Sequence, residues 1–555
     1  MKKLPPRQVG RLLTGTLVLT LAASVSVAAQ HGDAAGPAPK LTAEQWQADV
    51  RFLGEELPRR HRNAFHRMRR EEFEAAVKSL HDRVPALSED EILVGMMRVV
   101  AMVRDGHTSL LPRGYFRAGL YPVRLYLFSD GLFVRQAAPA YAEVVGARVL
   151  KVGDVSAEDA VRAAVQVVPA DNEMGARALA PVALTIPEVL AGLKINTDKQ
   201  RLRLTVAEGG RERVVELKPA GAFESMFRPT PADWVDAARG AQTPLYLKDR
   251  DNLYWFEYVK DRRLVYVQQN GVANKEGGEP VGDFYRRVFE FVEANPVERL
   301  VLDLRHNGGG NNTLNRQVVV GLIRSKVNRR GRLFVITGRE TFSAAQNLVN
   351  QIEKYTEAIF VGEPTAGHPN HYGDNRPFTL PHSKLTVRAS TLWWQDLDPR
   401  DERRWTAPEI AAELSSEDYR AGRDPALQAA LEYAPGSALS EMIDAAKSQP
   451  TLAEFLPNYR AYKASPKSKY VSTEAAVNSF GYWLLERRRV ADAVTVFELN
   501  VAAYPASANV YDSLGDALEA AGRREEAVRS FEKALSIDPN YPSSLAALRR
   551  LKGNQ

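Results

Sequence analysis

The stretches VLDLRHNGGG (residues 301–310) and GRLFVITGRETFSAAQNLV (residues 331–349) decide the fold. Each opens with a short apolar run of strand character, Leu300 to Leu304 and Leu333 to Thr337, then breaks into Gly-rich or polar residues. In open α/β sheets ligands lie beyond the carboxyl ends of such strands. Ser343 opens the helical run AAQNLVNQIEKY, so a helix N-terminus faces that region and its backbone N–H groups suit an oxyanion. One exposed serine facing a glycine turn reads as acyl-transfer chemistry.

Working outward, five motifs occur in order: DGHTSLL (105–111), DLRHNGGG (303–310), TFSAAQ (341–346), VGEPTAG (361–367) and WTAPEI (405–410). With these motifs the chain resembles the C-terminal processing, or tail-specific, serine peptidases and their tricorn-like relatives, from about Leu41 to Leu431. The resemblance implies Ser343 as nucleophile and the amides of Gly309 and Ala344 as the oxyanion hole. It also implies a base, since a serine hydroxyl is a poor nucleophile at neutral pH. One branch of the family uses lysine, but the corresponding segment VGEPTAGHPNHYGDN contains none. His368 stands at that spacing with His371 close by, whereas His107 in DGHTSLL matches the tricorn-type histidine. His107 is therefore expected as general base, and His368 and His371 as candidates for the substrate cleft.

By the same resemblance the triad acid is Glu402, six residues before the Pro408-Glu409 pair, with Asp401, Asp396 and Asp398 nearby. A plainer reading of DLDPRDERR is a solvated charged loop. Ser343 also reads as a helix N-cap, which is compatible with a nucleophile. His306 reads as filler of the glycine turn, and Asp303 with Arg305 as a buried structural pair.

At the N-terminus Lys2, Lys3, Arg7 and Arg11 precede an acid-free, largely apolar run from Leu12 to Val27, which fits a secretory signal peptide over 1–29. Its removal takes away four positive charges and no acid, so the formal charge falls from +6 to +2 and nucleic-acid binding loses its support. With no cysteine in 555 residues, disulfides and thiol catalysis are excluded. The expected location is exported: bacterial periplasm or secreted, with no stable membrane span after cleavage.

Length and pattern divide the rest. Residues 30–120 are expected as a helical region ending in EILVGMMRVVAMVRDGHT, which would aim His107 from a helix end, with core packing explaining the methionines. Residues 121–219 alternate strand-like runs with one helical stretch and resemble a PDZ-like mixed β module, with an insertion from Asn172 to Ile195. Such a module binds a peptide by strand addition. The catalytic domain is expected over 220–431 and a helical linker over 432–471.

In the last segment, 472–555, Gly481, Ala493, Phe497 and Pro505 recur 34 residues later as Gly515, Ala527, Phe531 and Pro539, the tetratricopeptide period. Two repeats and a capping helix follow from it. The fold class is thus a multidomain α/β (α+β) peptidase core with a helical N-domain and a PDZ-like module, then an all-α repeat tail. The expected function is an exported serine endopeptidase that needs no cofactor or metal, acts on peptide or protein, and offers a repeat surface to a protein partner. The alternatives are an inactive peptide-binding scaffold on the same fold, or a serine esterase, although G-x-S-x-G is absent around Ser343.

Overall fold

The computed structural model describes residues 39–227 and 229–553 in two compact units, one of 39–408 with 412–431 and one of 409–411 with 432–553. The expected signal peptide lies outside the described residues.

The first unit is built on a sheet whose strands Tyr254–Val259, Leu264–Gln269, Arg299–Asp303, Leu333–Thr337 and Ile359–Gly362 are neighbours in that order. The first pair is antiparallel and the others are parallel. Parallel neighbours need crossovers, and helices Val281–Ala294, Asn315–Arg324 and Ala344–Tyr355 supply them. Leu333–Thr337 and Ile359–Gly362 are buried at every residue, which is why they read as unbroken apolar runs and not as alternating ones. Asp303 pairs with Ile336 at the carboxyl ends. The glycine turn and the Ser343 turn therefore leave the sheet side by side.

The glycine turn is anchored from below. Arg305 Nε donates to Asp303 Oδ1 at 3.0 Å and its two terminal nitrogens reach Asp424 at 3.0 and 2.9 Å, while Tyr266 OH donates to Asp303 Oδ2 at 2.6 Å. Asp303 and Arg305 form a structural pair that fixes where the turn begins.

His107 comes from the helical N-terminal region: Ala43–Arg60, Arg70–Arg83 and Glu89–Ala101. Thr42 with Gln45, and Ser88 with Glu91, form capping boxes that fix where the first and third helices start. Met96 and Met97 are buried in the third. After that helix the chain turns through Arg104, at φ 54°, and pairs Ser109 and Leu110 with Arg388 and Val387. Those partners belong to the hairpin His371–Thr379 and Thr386–Trp394. His107 is thus pinned between a helix end and a hairpin.

Residues 123–217 form an antiparallel sheet with strands Val123–Phe128, Gly131–Ala137, Arg148–Val152, Leu202–Glu208 and Arg211–Leu217 in sequence order. Between the third and fourth lie helices Ala157–Val165, Glu173–Ala183 and Pro187–Gly192. The last two occupy the stretch read as an insertion. Glu188 Oε1 accepts the amides of Arg117 and Ala118 at 2.7 and 2.8 Å, tying them to the chain just after His107.

Residues 432–553 of the second unit are helical, with Leu439–Lys447 and Phe455–Ala464 followed by Glu474–Glu486, Val490–Ala503, Ala508–Ala520, Arg524–Ile537 and Pro542–Lys552. Phe455 packs edge-on against Phe480 at 5.0 Å, so the preceding helix covers the first repeat helix. A Cβ on Gly481 would come 2.5 Å from the Phe497 ring, and one on Gly515 the same distance from Phe531. The 34-residue identity is therefore a packing requirement repeated. Gly515→Ala is expected to lower the stability of this unit by about 1–3 kcal/mol through overpacking, which a urea titration followed by circular dichroism would measure.

Candidate active site

Ser343 sits where strand Leu333–Thr337 gives way to helix Ala344–Tyr355, at φ 57° and ψ −126°. A residue with a Cβ pays about 1–3 kcal/mol for such a conformation. The surrounding turn holds it there. Thr341 Oγ1 donates to Leu304 O at 2.8 Å, Phe342 N to Asn307 O at 3.1 Å, and Ala366 N to Thr341 O at 2.9 Å. Although Ser343 occupies the N-cap position, its hydroxyl makes no capping bond. Instead Oγ lies 2.9 Å from His107 Nε2, across 236 residues of sequence. A strained strand-to-helix turn presenting a serine is the geometry of a nucleophile elbow, here without the usual glycine motif.

The His107 ring is stacked between Phe342, at 4.4 Å between centroids, and His371, at 5.9 Å. Burial lowers its pKa from the usual 6.5, opposed by the carboxylates of Asp105 and Asp374 and by the Tyr372 carbonyl. A neutral imidazole is what a general base must be at neutral pH. Its Nδ1 makes no hydrogen bond of good geometry, and Asp105 Oδ1 stands 3.9 Å away.

Asp105 is buried and closely held. It accepts His61 Nε2 at 2.9 Å, Thr108 Oγ1 at 2.6 Å and the His107 amide at 2.9 Å. His61 Nδ1 in turn accepts the Asn63 amide at 3.0 Å, so the His61 proton is on Nε2 and points at the carboxylate. Burial pushes the Asp105 pKa up, but the His61 bond and the potential of His107 more than reverse this and keep it ionised. Asp171, which accepts the amides of Gly106 at 2.6 Å and His368 at 3.3 Å, is raised by burial and by Asp105. Two neighbouring buried carboxyls are driven apart, one charged and one inclined to hold its proton.

Four of the expected site residues stand differently from the sequence reading. Glu402 is exposed, in a charged segment where Arg403 pairs with Glu353 and Asp401 and Arg400 with Asp398, and it is not brought to His107. The solvated-loop reading describes it. The Gly309 amide donates to Asn307 Oδ1 at 3.0 Å and so is engaged, whereas the Ala344 amide heads its helix and has no intrahelical acceptor. What position 309 requires is the absence of a side chain: at φ 104°, a Cβ would come 2.7 Å from Ser343 Cβ. His368 is buried with Nδ1 3.2 Å from Arg403 O, and His371 is buried behind His107, so neither is on the cleft wall. His306 does face the cleft, its Nδ1 2.9 Å from Glu340 Oε2.

Ser343, His107 and Phe342 open into a cleft of about 2240 Å³ bounded by the antiparallel sheet, helix Glu173–Ala183, the segment 236–253 and the hairpin. Among the described residues no cluster of His, Cys, Asp or Glu could hold a metal ion, and no helix is long and apolar enough to cross a membrane. Asp105, His61 and Asp171 were missed by sequence reading. The DGH tripeptide was the signal for the first, and nothing local marks the other two.

Comparison with known proteins agrees with this architecture. Mature CPAF complexed with lactacystin superposes with a TM-score of 0.50 at 13% identity, over 68% of this chain and 96% of that chain. A CPAF point mutant gives 0.50 at 12% identity, over 71% and 98%. The photosystem II D1 C-terminal processing protease is more distant, at a TM-score of 0.34 and 15% identity over 70% and 99%. At such identities the likeness is one of fold. No curated protein matches the sequence. Residues 508–541 match the tetratricopeptide repeat family. The mixed α/β core, the helical N-terminal region and the helical repeat tail are thus as expected from sequence.

Proposed function

We propose that the chain is an exported serine endopeptidase of the tail-specific, tricorn-like type, with Ser343 as nucleophile and His107 as general base. The observation that carries this reading is the 2.9 Å contact between Ser343 Oγ and His107 Nε2 at the mouth of a large cleft. In the first half-reaction His107 Nε2 takes the hydroxyl proton as Oγ bonds to the substrate carbonyl carbon. The Ala344 amide, at the positive end of its helix, receives the developing oxyanion. His107 then returns the proton to the leaving amine nitrogen as the C–N bond breaks, leaving an acyl-serine that water hydrolyses by the same steps. No cofactor takes part in these steps.

In this proposal Asp105 replaces Glu402 as the acid beside His107. It stabilises the imidazolium through space, and His61 and Thr108 hold it ionised and fixed. A peptide or protein is the substrate, and the repeats 472–555 offer a surface for a protein partner. Export rests on the charged, then apolar, pattern of residues 1–29.

The decisive test is labelling of the full chain by a fluorophosphonate: reaction at Ser343 supports the peptidase, while folded but unreactive protein moves the reading to the scaffold. A pH profile tests the base and its acid. Because burial lowers the His107 pKa, kcat/KM is expected to rise with pH through a limb below about 6.5, the free imidazole value. Asp105 raises that pKa, so Asp105→Asn is expected to slow turnover and to move the limb to still lower pH. A slowed variant with an unmoved limb would show that Asp105 serves only the fold.

A further inference from the structure

We propose that the cleft selects acidic peptide segments, whose side-chain carboxylates are received by Arg124, Arg135 and Arg177. The inference deepens the peptidase reading and rests on it for the word substrate. Ten Lys and Arg side chains line the cleft against six Asp and Glu. Four of the six acids are already occupied. Glu340 is taken by His306 at 2.9 Å, Asp236 by Gln136 Nε2 at 2.6 Å and Tyr419 OH at 2.9 Å, and Asp374 by Trp394 Nε1 at 2.7 Å. Asp171 accepts backbone amides.

The three arginines have no carboxylate of their own among the described residues. Nε of Arg135 and of Arg177 is buried without any acceptor, a costly state for a cation unless a ligand completes it. Local structure aims Arg135 deliberately. Strands Val123–Phe128 and Gly131–Ala137 pair Arg124 with Gln136 and then Leu125 with Val134, so Arg135 is the extra residue of a bulge. The bulge breaks the alternation of faces, and Arg124 and Arg135 both reach the cleft.

Tyr126 then bears two guanidinium groups, Arg135 at 5.3 Å and Arg339 at 5.1 Å from its ring centre. Arg339 already has its carboxylate, since it bonds both oxygens of Glu363 as well as the Leu127 carbonyl. Arg135 has only its aromatic neighbours, with Glu340 and Asp236 acting through space. Arg339 and Glu340 precede Ser343 by four and three residues, so this basic wall adjoins the nucleophile. A guanidinium presents a fork that matches a carboxylate. Three of them on two strands and a helix suit several carboxylates along an extended segment better than one terminal carboxylate.

The test uses full-length protein carrying Ser343→Ala, so that binding is read without cleavage, and three fluorescent decapeptides followed by anisotropy. One is Glu-rich and amidated at its C-terminus, the second is its Gln counterpart, also amidated, and the third is the Gln peptide with a free carboxylate. The Glu peptide is expected to bind at least about tenfold more tightly than either Gln peptide, with a preference that shrinks as NaCl rises. Arg135→Gln with Arg177→Gln should erase the preference, and Arg124→Gln alone should reduce it if the double variant does not fold. Equal binding of Glu and Gln peptides, or a preference that survives these substitutions, overturns the proposal. So does a Gln peptide with a free carboxylate that binds as well as the Glu peptide, which would assign the wall to a chain terminus. Fluorophosphonate labelling of the unmutated chain reads the peptidase assignment separately, so either idea can fail alone.

Discussion

Ser343→Ala is expected to abolish fluorophosphonate labelling and to reduce peptide hydrolysis by about 10⁶-fold, the scale seen when a serine peptidase loses its nucleophile. The loss should come without loss of fold. Ser343 makes no capping bond to its helix, so alanine removes no hydrogen bond that the helix uses. Alanine inherits the backbone strain at φ 57° and ψ −126°, since both residues carry a Cβ. A melting temperature within a few degrees of the unmutated chain should therefore accompany the loss. Undiminished labelling of the variant would place the reactive group elsewhere and sink the assignment. Glycine at the same position is a useful contrast: it relieves the strain, so Ser343→Gly should be equally unreactive but more stable.

How much of this was legible before the structure depends on the range of each interaction. The strand runs Leu300–Leu304 and Leu333–Thr337, the helix after Ser343 and the 34-residue repeat are written locally, in periodicity and in glycine placement. Their structural counterparts are the parallel strands, helix Ala344–Tyr355 and the Gly515–Phe531 contact. The pairing of Ser343 with His107 was reached through a family resemblance, because nothing in residues 105–111 points by itself to a partner 236 positions away. Glu402 shows the limit of that route. Its position in the motif order was right for an acid, but neighbouring arginines and acids pair among themselves and leave it in solvent. Gly309 was read through the same resemblance as an oxyanion-hole amide, and its engagement by Asn307 was not legible, since that depends on one side-chain rotamer. The bulge at Arg135 was equally hidden: a single unpaired residue in a strand leaves the apolar alternation almost intact.

The second large effect is expected at His107. His107→Ala removes the only imidazole within hydrogen-bond reach of Ser343 among the described residues, and turnover should fall by about 10⁴-fold or more. His368→Ala is the matched control from the sequence reading. Its ring is buried against Arg403 O and does not face the cleft, so its loss should cost stability and leave the chemical step, per folded molecule, nearly unchanged. The comparison must be made on kcat and KM separately. In the proposed mechanism His107 acts on the proton that moves in the transition state, so its removal should appear in kcat, with KM little altered. His371 complicates the choice of variant, because it stacks behind His107 at 5.9 Å and would lose its neighbour. His107→Gln keeps a planar polar side chain in that stack and cannot accept the proton at neutral pH, so it should be as slow as alanine while melting closer to the unmutated protein. Should His368→Ala be the slower enzyme at equal folding, the base would have to be reassigned to the histidine nearer in sequence. If both histidines proved equally indispensable, their common tie through Asp171, which accepts the amides of Gly106 and His368, would become the first place to look.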